Sequence, residues 1–154
     1  MNNSLLVIHG PNLNLLGSRE PEIYGTMTLP RVNEQIEQYA TTRGFAVDCR
    51  QSNHEGEIVD ILQQAADKYT AVIINPAAYT HTSVAIRDAI AAINIPVIEV
   101  HLSQISGREQ FRRQSLTAPV CNGMISGFGW HSYLLAVEAV AMWEKHQLST
   151  GKTE

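Results

Sequence analysis

Short apolar runs alternate along this chain with longer segments in which apolar residues recur every three or four positions. Short apolar runs are typical of buried strands, and the longer segments have the period of amphipathic helices. The predicted strands are 5–8, 45–50, 71–74, 96–100 and 124–128. The predicted helices are 28–43, a second one that begins near Ser52, then 81–93, a short one within 107–115, and 132–146.

Local signals set two of these boundaries. Pro30 is tolerated in the first turn of the first helix, and Gly44 ends that helix. Ser52 and Glu55 have the spacing of a capping box, which predicts that the second helix begins there.

The alternation of strands and helices predicts the fold class. Strands that are apolar on both faces indicate a parallel sheet covered by helices on both sides. Five such units favour an α/β, flavodoxin-like fold with a five-stranded parallel sheet in the order 2-1-3-4-5. A chain of 154 residues has the length of one domain. We expect a single domain over 1–148 and a polar tail over 149–154 that frays.

Composition and charge exclude several classes of protein. The net charge is −4 and the basic residues are not clustered, so neither nucleic acid nor an anionic membrane is an expected partner. No run approaches ~18 apolar residues, and the first residues lack a signal-peptide pattern. Cys49 and Cys121 fit no metal spacing and no disulfide framework, so we expect reduced core thiols. We therefore expect a cytoplasmic protein that binds no metal.

Polar residues collect where the predicted strands end. Ligands of open parallel sheets bind beyond the carboxyl ends of the strands. The residues at those ends are His9, Asn12 and Asn14 after the first strand, Asn75, Thr80 and His81 after the third, and Glu99, His101, Leu102 and Ser103 at the fourth. The sequence therefore predicts a binding site at this edge of the sheet.

Glu99 and His101 lie two positions apart on a predicted strand, so they point to the same face. A carboxylate in a buried strand is costly unless it is paired. One interpretation is that Glu99 holds His101 as a general acid or base. The other is a satisfied polar pair under the end of the sheet, and the spacing alone leaves both open.

Two pairs of charged or polar residues allow similar alternatives. Arg19 and Tyr24 lie in the long loop 9–25, where a cation beside the phenol would favour its ionised, basic form, since a free tyrosine has a pKa near ~10. Arg108 and Arg112 lie four apart on the predicted short helix, so they share a face that suits an anion. The alternative for all four is that they are ordinary solvated surface residues.

Other catalytic classes lack their residues. The glycines after the first strand, Gly10 and Gly17, have the wrong spacing for a dinucleotide-binding loop, and no P-loop or nucleophile elbow occurs. The three lysines lie on helices or in the tail, so a Schiff-base mechanism has no candidate nucleophile. A flavodoxin-like binding or signalling module is the alternative class. However, the loop after the first strand has neither the clustered acids of a receiver domain nor the phosphate loop of a flavin carrier.

Three long segments resemble a known family. HGPNLNLLGSREPEIYG, at 9–25, is similar to the N-terminal signature of the type II 3-dehydroquinate dehydratases. NPAAYTHTSVAIRDAI and IEVHLSQISGREQFR resemble the second and third signatures of that family, and the likeness extends from Leu5 to about Ala141. The resemblance implies a lyase of the shikimate pathway, which serves aromatic amino acid and chorismate biosynthesis. It would dehydrate 3-dehydroquinate to 3-dehydroshikimate through an enolate, without a Schiff base or cofactor.

The resemblance also implies roles for individual residues. Tyr24 corresponds to the base, Arg19 to the arginine that keeps it ionised, Asn12 to the group that stabilises the enolate oxygen, and His101, positioned by Glu99, to the acid. The implied substrate-binding positions are Asn75, His81, Leu102, Ser103 and Arg112, with Arg108 near the tyrosine and Asp88 reaching a neighbouring subunit. The family forms trimers that pack into a dodecamer. The departures from its usual pattern are Gln104, Ser106 and Gly107, and none is a catalytic position.

Overall fold

The structure is a computed structural model that describes residues 3–18, 20, 22 and 26–150, the last four without their side chains. The strands are β1 (Ser4–His9), β2 (Ala46–Gln51), β3 (Ala71–Asn75), β4 (Val97–His101) and β5 (Gly123–Ser126). The helices are α1 (Leu29–Thr42), α2 (Glu55–Ala65), α3 (Val84–Ala92) and α4 (His131–Thr150).

All five strands are parallel and lie in the order β2-β1-β3-β4-β5, which confirms the predicted fold class. The register places His9 opposite Asn75, and Ile74 opposite Glu99. The carboxyl ends of β1, β3 and β4 therefore lie side by side at one edge of the sheet.

The central strands are buried on both faces, as the sequence predicts. Leu5 and Val7 belong to the core between the sheet and helices α1 and α4, whereas Leu6 and Ile8 belong to the core under α2 and α3. Successive side chains of a strand point to opposite faces, so β1 contributes to both cores in turn. This packing holds the strand ends, and the residues that follow them, in fixed positions.

The end of α1 follows its local sequence closely. Gly44 has a φ of +83°, its N–H donates to Thr41 at 3.0 Å, and the N–H of Phe45 donates to Ala40 at 2.9 Å. These two hydrogen bonds form a Schellman motif, which requires a left-handed residue at the position of Gly44. The predicted end of the helix is confirmed.

The starts of α2 and α3 differ from the predictions. Ser52 does not cap α2: its hydroxyl accepts from the backbone of His54 at 3.0 Å and donates to Glu57 at 2.8 Å. Helix α3 begins three residues after the predicted start, because Ser83 accepts from Ile86 N at 2.9 Å and caps it there. The preceding residues, Ala77–His81, form a separate 3₁₀ helix.

The predicted short helix within 107–115 is present only as a 3₁₀ turn, Gln110–Arg112, and not as one continuous helix. The segment contains two single 3₁₀ turns, Ile105–Gly107 and Gln110–Arg112. Arg108 and Glu109 have extended backbone angles, with ψ of −174° and 151°, so no helix continues through them. Arg108 and Arg112 consequently do not share a helix face.

Helix α4 reaches Thr150 and thus includes the first two residues of the predicted tail, while 151–154 lie outside the described residues. The division into one domain and a tail stays a prediction. No helix within the described part of the chain is both long and apolar enough to cross a membrane.

Candidate active site

A cavity of about 170 Å³ lies beyond the carboxyl ends of β1, β3 and β4. Its walls come from the segments that follow these three strands, and they mix apolar side chains with polar and charged ones. The lining residues are Pro11, Asn12, Leu13, Leu16, Asn75, Ala77, Ala78, His81, His101, Leu102, Ser103, Ile105, Arg108 and Arg112.

Most residues singled out from the sequence meet in this cavity. The polar residues among those that line it are Asn12, Asn75, His81, His101, Ser103, Arg108 and Arg112, and Leu102 lines it as well. Glu99 lies behind His101 and is fully buried. Asp88 is exposed on α3 and does not line the cavity of its own chain. Arg19 and Tyr24 lie outside the described residues.

Glu99 and His101 form a buried pair, as their spacing on β4 predicts. His101 Nε2 lies 2.9 Å from Glu99 Oε2. Burial alone would raise the pKa of Glu99, but the hydrogen bonds and charge of His101, together with the hydroxyls of Thr117 and Ser115, lower it below its ordinary value. Glu99 is therefore an ionised acceptor, and the ring nitrogen of His101 that remains for the cavity is Nδ1.

Two hydroxyls that sequence reasoning missed complete the surroundings of Glu99. Ser115 Oγ donates to Glu99 Oε2 at 2.8 Å, and Thr117 Oγ1 donates to Glu99 Oε1. A buried carboxylate implies that donors exist somewhere. It does not identify donors that lie 16 and 18 residues further along the chain in an irregular segment.

His81, the last residue of the 3₁₀ helix that follows β3, has a defined proton position. Its Nδ1 lies 2.6 Å from the backbone carbonyl oxygen of Gln114. Because a carbonyl oxygen only accepts, Nδ1 carries the proton. On the neutral ring, Nε2 is then an acceptor suited to a ligand hydroxyl.

Asn75 is fixed by both ends of its amide. Its Oδ1 accepts from Ala77 N at 3.0 Å, and its Nδ2 donates to the Tyr133 hydroxyl at 3.1 Å. Tyr133 comes from α4 and is fully buried. The contact with Ala77 is a local Asx turn, whereas the contact with Tyr133 cannot be read from the sequence around Asn75, since Tyr133 lies 58 residues away.

His9 extends this network away from the cavity. Its Nδ1 lies 2.8 Å from the Tyr133 hydroxyl, and its Nε2 lies 2.8 Å from Asn33 Oδ1. Burial lowers the pKa of His9 to about 4, although the hydrogen bond to Asn33 acts in the opposite direction. The ring is neutral near pH 7, so it donates to Asn33 and accepts from Tyr133.

Two guanidinium groups lie at the rim of the cavity. Arg108 Nη1 donates to Ser103 Oγ at 3.1 Å. Arg112 Nε lies 3.0 Å from Glu109 Oε2, and its guanidinium stacks 4.9 Å above the centre of the Phe111 ring. Two cations at one rim suit an anionic ligand, and a guanidinium can bind a carboxylate through two parallel hydrogen bonds.

The segment after β1 approaches β3 too closely for a larger residue at Gly10. A Cβ there would lie 2.4 Å from the carbonyl oxygen of Pro76. Asn12 then adopts a left-handed conformation with φ of 68°, and its N–H donates to Asn53 Oδ1 at 3.0 Å. The backbone that presents Asn12 to the cavity is thus held from two sides.

No group of three or more histidine, cysteine, aspartate or glutamate side chains that could hold a metal ion occurs in the part of the chain described here. The polar groups of the cavity are instead a buried histidine–carboxylate pair, an amide, a second histidine and two guanidiniums. Such a set suits the binding of a polar, anionic small molecule and general acid–base chemistry on it.

The fold and cavity define the class of protein: a doubly wound α/β protein with a buried histidine–carboxylate pair at the carboxyl ends of its parallel strands. The chain belongs to the family "Dehydroquinase class II", whose model matches residues 3–141. The family resemblance inferred from the three sequence motifs is confirmed.

Individual relatives cover almost the whole chain. A protein named 3-dehydroquinate dehydratase from Trichodesmium erythraeum is 53% identical over 144 residues, which is 94% of this chain and 96% of that protein. The crystal structure of the type II dehydroquinase from Butyrivibrio crossotus has a TM-score of 0.88 and 46% identity, covering 90% of this chain and 97% of its own. The corresponding enzyme from Propionibacterium acnes has a TM-score of 0.89 and 42% identity, covering 92% and 98%.

Proposed function

We propose that this chain is a type II 3-dehydroquinate dehydratase that converts 3-dehydroquinate to 3-dehydroshikimate in the shikimate pathway. The observation that carries the proposal is the buried Glu99–His101 pair at the wall of the strand-end cavity. Membership of the dehydroquinase family and relatives that bear the name of this enzyme support it.

In the proposed reaction a base removes the proton from the carbon next to the ketone, and an enolate forms. His101 then gives a proton from Nδ1 to the departing hydroxyl, the C–O bond breaks, and water and the conjugated enone are released. Glu99 keeps Nε2 occupied, so the ring faces the cavity with Nδ1. General acid catalysis of this kind contributes about 10²- to 10⁴-fold to a rate.

The base and its cationic partner belong to the proposal through the family resemblance. Tyr24 would remove the proton, and Arg19 would keep Tyr24 ionised. Asn12, at the cavity wall, would stabilise the enolate oxygen through a water, which is an oxyanion-type role.

The remaining cavity residues would hold the substrate. Arg112 suits its carboxylate, with Leu102 and Ser103 beside it, and Arg108 supports the region near Tyr24. His81 offers Nε2 as an acceptor, and the amide of Asn75 keeps a second N–H as a donor, so both suit ring hydroxyls.

Asp88 and the quaternary structure are a further part of the proposal. Asp88 is exposed on α3, outside the cavity of its own chain. We propose that it contributes to the site of a neighbouring subunit in a dodecamer built from trimers. The two cysteines are free thiols, which is usual in a reducing compartment, and this supports the proposed cytoplasmic location.

The experiment adds 3-dehydroquinate to the protein and follows the absorbance of the enone product. We expect a rise with the wild-type chain and a strongly reduced rise with Tyr24→Phe. Borohydride added with the substrate should not inactivate the protein, because the proposed route forms no imine. No enone with the wild-type chain would refute the function, and covalent trapping on a lysine would refute the enolate route.

A further inference from the structure

The carboxylate of Glu99 is fully buried, and both of its oxygens accept side-chain hydrogen bonds. His101 Nε2 and Ser115 Oγ donate to Oε2, and Thr117 Oγ1 donates to Oε1. We propose that Thr117 and Ser115 are positioning residues, which hold Glu99 as an ionised acceptor so that the proton His101 gives to the leaving group resides on Nδ1. The inference rests on the proposed function, because it assigns two further residues to the acid step.

The direction of each hydrogen bond follows from counting protons. Two backbone N–H groups, of Thr117 and Ala118, donate to Ser115 Oγ at 3.2 and 2.9 Å, so this hydroxyl directs its own proton to Glu99. Thr80 Oγ1 lies 2.7 Å from Thr117 Oγ1, and Thr80 can donate there while Thr117 donates to Glu99. Both hydroxyls that contact the carboxylate then donate to it, as does His101 Nε2. A protonated Glu99 would have to donate in turn and would break this order.

The segment that carries these hydroxyls is tied to the cavity wall on the opposite side. Leu116 N donates to Thr80 O at 2.7 Å, and Gln114 O accepts the proton of His81 Nδ1. Residues 114–117 therefore contact His81 directly and His101 through Glu99. One short segment orients the imidazole of His81 and, through Glu99, that of His101.

The charged and titratable groups around the pair come from three segments. His81 follows β3, and Arg108 and Arg112 follow β4, and all three line the same cavity as His101. Cys121 lies behind Glu99, and its thiol pKa is raised to about 12 by burial and, to a smaller extent, by the Glu99 charge. Substitutions at Thr117 leave these groups in place, so a change in the titration of Glu99 reports the lost hydroxyl.

Thr117→Val is the decisive variant, because valine keeps the branched shape of threonine and lacks the hydroxyl. Removing a hydrogen bond to a carboxylate raises its pKa. We expect the infrared carbonyl band of protonated Glu99, assigned by its loss in Glu99→Gln, to develop about one pH unit or more higher than in the wild-type chain. The acid limb of kcat should move in the same direction and by a similar amount.

Three further variants separate the hydroxyl from packing. Thr117→Ser keeps the donor and should titrate like the wild-type chain. Thr80→Val removes a buried hydroxyl of the same cluster that does not touch Glu99, so its shift should be smaller. Ser115→Ala removes the second donor and should shift the band upward, which keeps the test available if Thr117→Val does not fold.

An unmoved carbonyl band in folded Thr117→Val and Ser115→Ala would overturn the inference. A shift of the carbonyl band in Thr117→Ser as large as that in Thr117→Val would also overturn it, because the shape of the side chain and not its hydroxyl would then be responsible. The infrared titration uses no substrate. A wild-type chain that fails to convert 3-dehydroquinate therefore refutes the proposed function separately from the positioning roles.

Discussion

The Tyr133 hydroxyl joins the side chains of two buried residues, His9 and Asn75, which end the neighbouring strands β1 and β3. Tyr133→Phe keeps the ring and removes only this hydroxyl. His9 Nδ1 then loses its donor and Asn75 Nδ2 loses an acceptor. A buried polar group left unsatisfied costs about 1–3 kcal/mol, so two of them predict a loss of about 2–6 kcal/mol in the free energy of unfolding.

The assay compares urea unfolding of this variant with that of Tyr69→Phe at one protein concentration. Tyr69 OH donates to Asp48 at 2.6 Å near the surface, where water can replace it, so the loss there should stay below about 1 kcal/mol. In Tyr133→Phe, KM for 3-dehydroquinate should also rise more than kcat falls, since Asn75 would bind substrate and take no part in proton transfer. Equal free energies of unfolding for the two variants would refute the prediction that the hydrogen bonds of Tyr133 to His9 and Asn75 stabilise the fold.

Two further predictions concern the same end of β1. The pKa of His9 is about 4 in the folded chain against about 6.5 when unfolded, so the unfolded state binds the proton first as the pH falls. The contribution of His9 to stability is complete above about pH 6.5 and declines by about 3 kcal/mol towards pH 4. The urea midpoint should therefore depend less on pH in His9→Gln than in the wild-type chain, whereas His54→Gln should keep the wild-type dependence. The same pH dependence in His9→Gln and the wild-type chain would contradict the prediction. Gly10→Ala should destabilise by about 1–3 kcal/mol, because its Cβ would overlap the Pro76 carbonyl oxygen, whereas Gly56→Ala, on α2 with nothing within 4 Å, should stabilise slightly in the same thermal melts. A Gly10→Ala melt at or above the wild-type temperature would contradict the predicted overlap.

The fold and the location of the site could be predicted because both depend on short-range patterns. The apolar runs determine which strands are buried on both faces, and parallel strands place their carboxyl ends at one edge. Glu99 and His101 meet because residues two apart on a strand share a face. His9, Asn75 and His101 lie at one edge because each is the last residue of its strand and the three strands are parallel.

Contacts with irregular segments could not be predicted. Ser115 and Thr117 reach Glu99 from a stretch without periodicity, and Tyr133 reaches Asn75 from the last helix. The capping box at Ser52 failed because its hydroxyl instead accepts from His54 N and donates to Glu57. Sequence spacing permits each of these arrangements and does not choose between them.

The prediction for Arg108 and Arg112 was right about their location at the site and wrong about the structure that places them there. Arg108 and Arg112 do not share a helix, yet both line the cavity. The loop between β4 and residue 113 is folded back on itself: Arg113 Nε donates to the carbonyl oxygen of Arg108 at 2.8 Å, and Arg112 N donates to Glu109 O at 2.8 Å. Local hydrogen bonds of the loop, and not the spacing of one α-helix, bring the two cations to one rim.

The proposed reaction places the dehydration of 3-dehydroquinate in the cavity at the ends of β1, β3 and β4, with His101 as the acid. It is tested most directly by the rate of enone formation with His101→Ala, measured beside the wild-type chain at a temperature where both are folded. We expect a ready rise with the wild-type chain and a fall in kcat of about 10²- to 10⁴-fold in the variant. A variant rate close to that of the wild-type chain would contradict it.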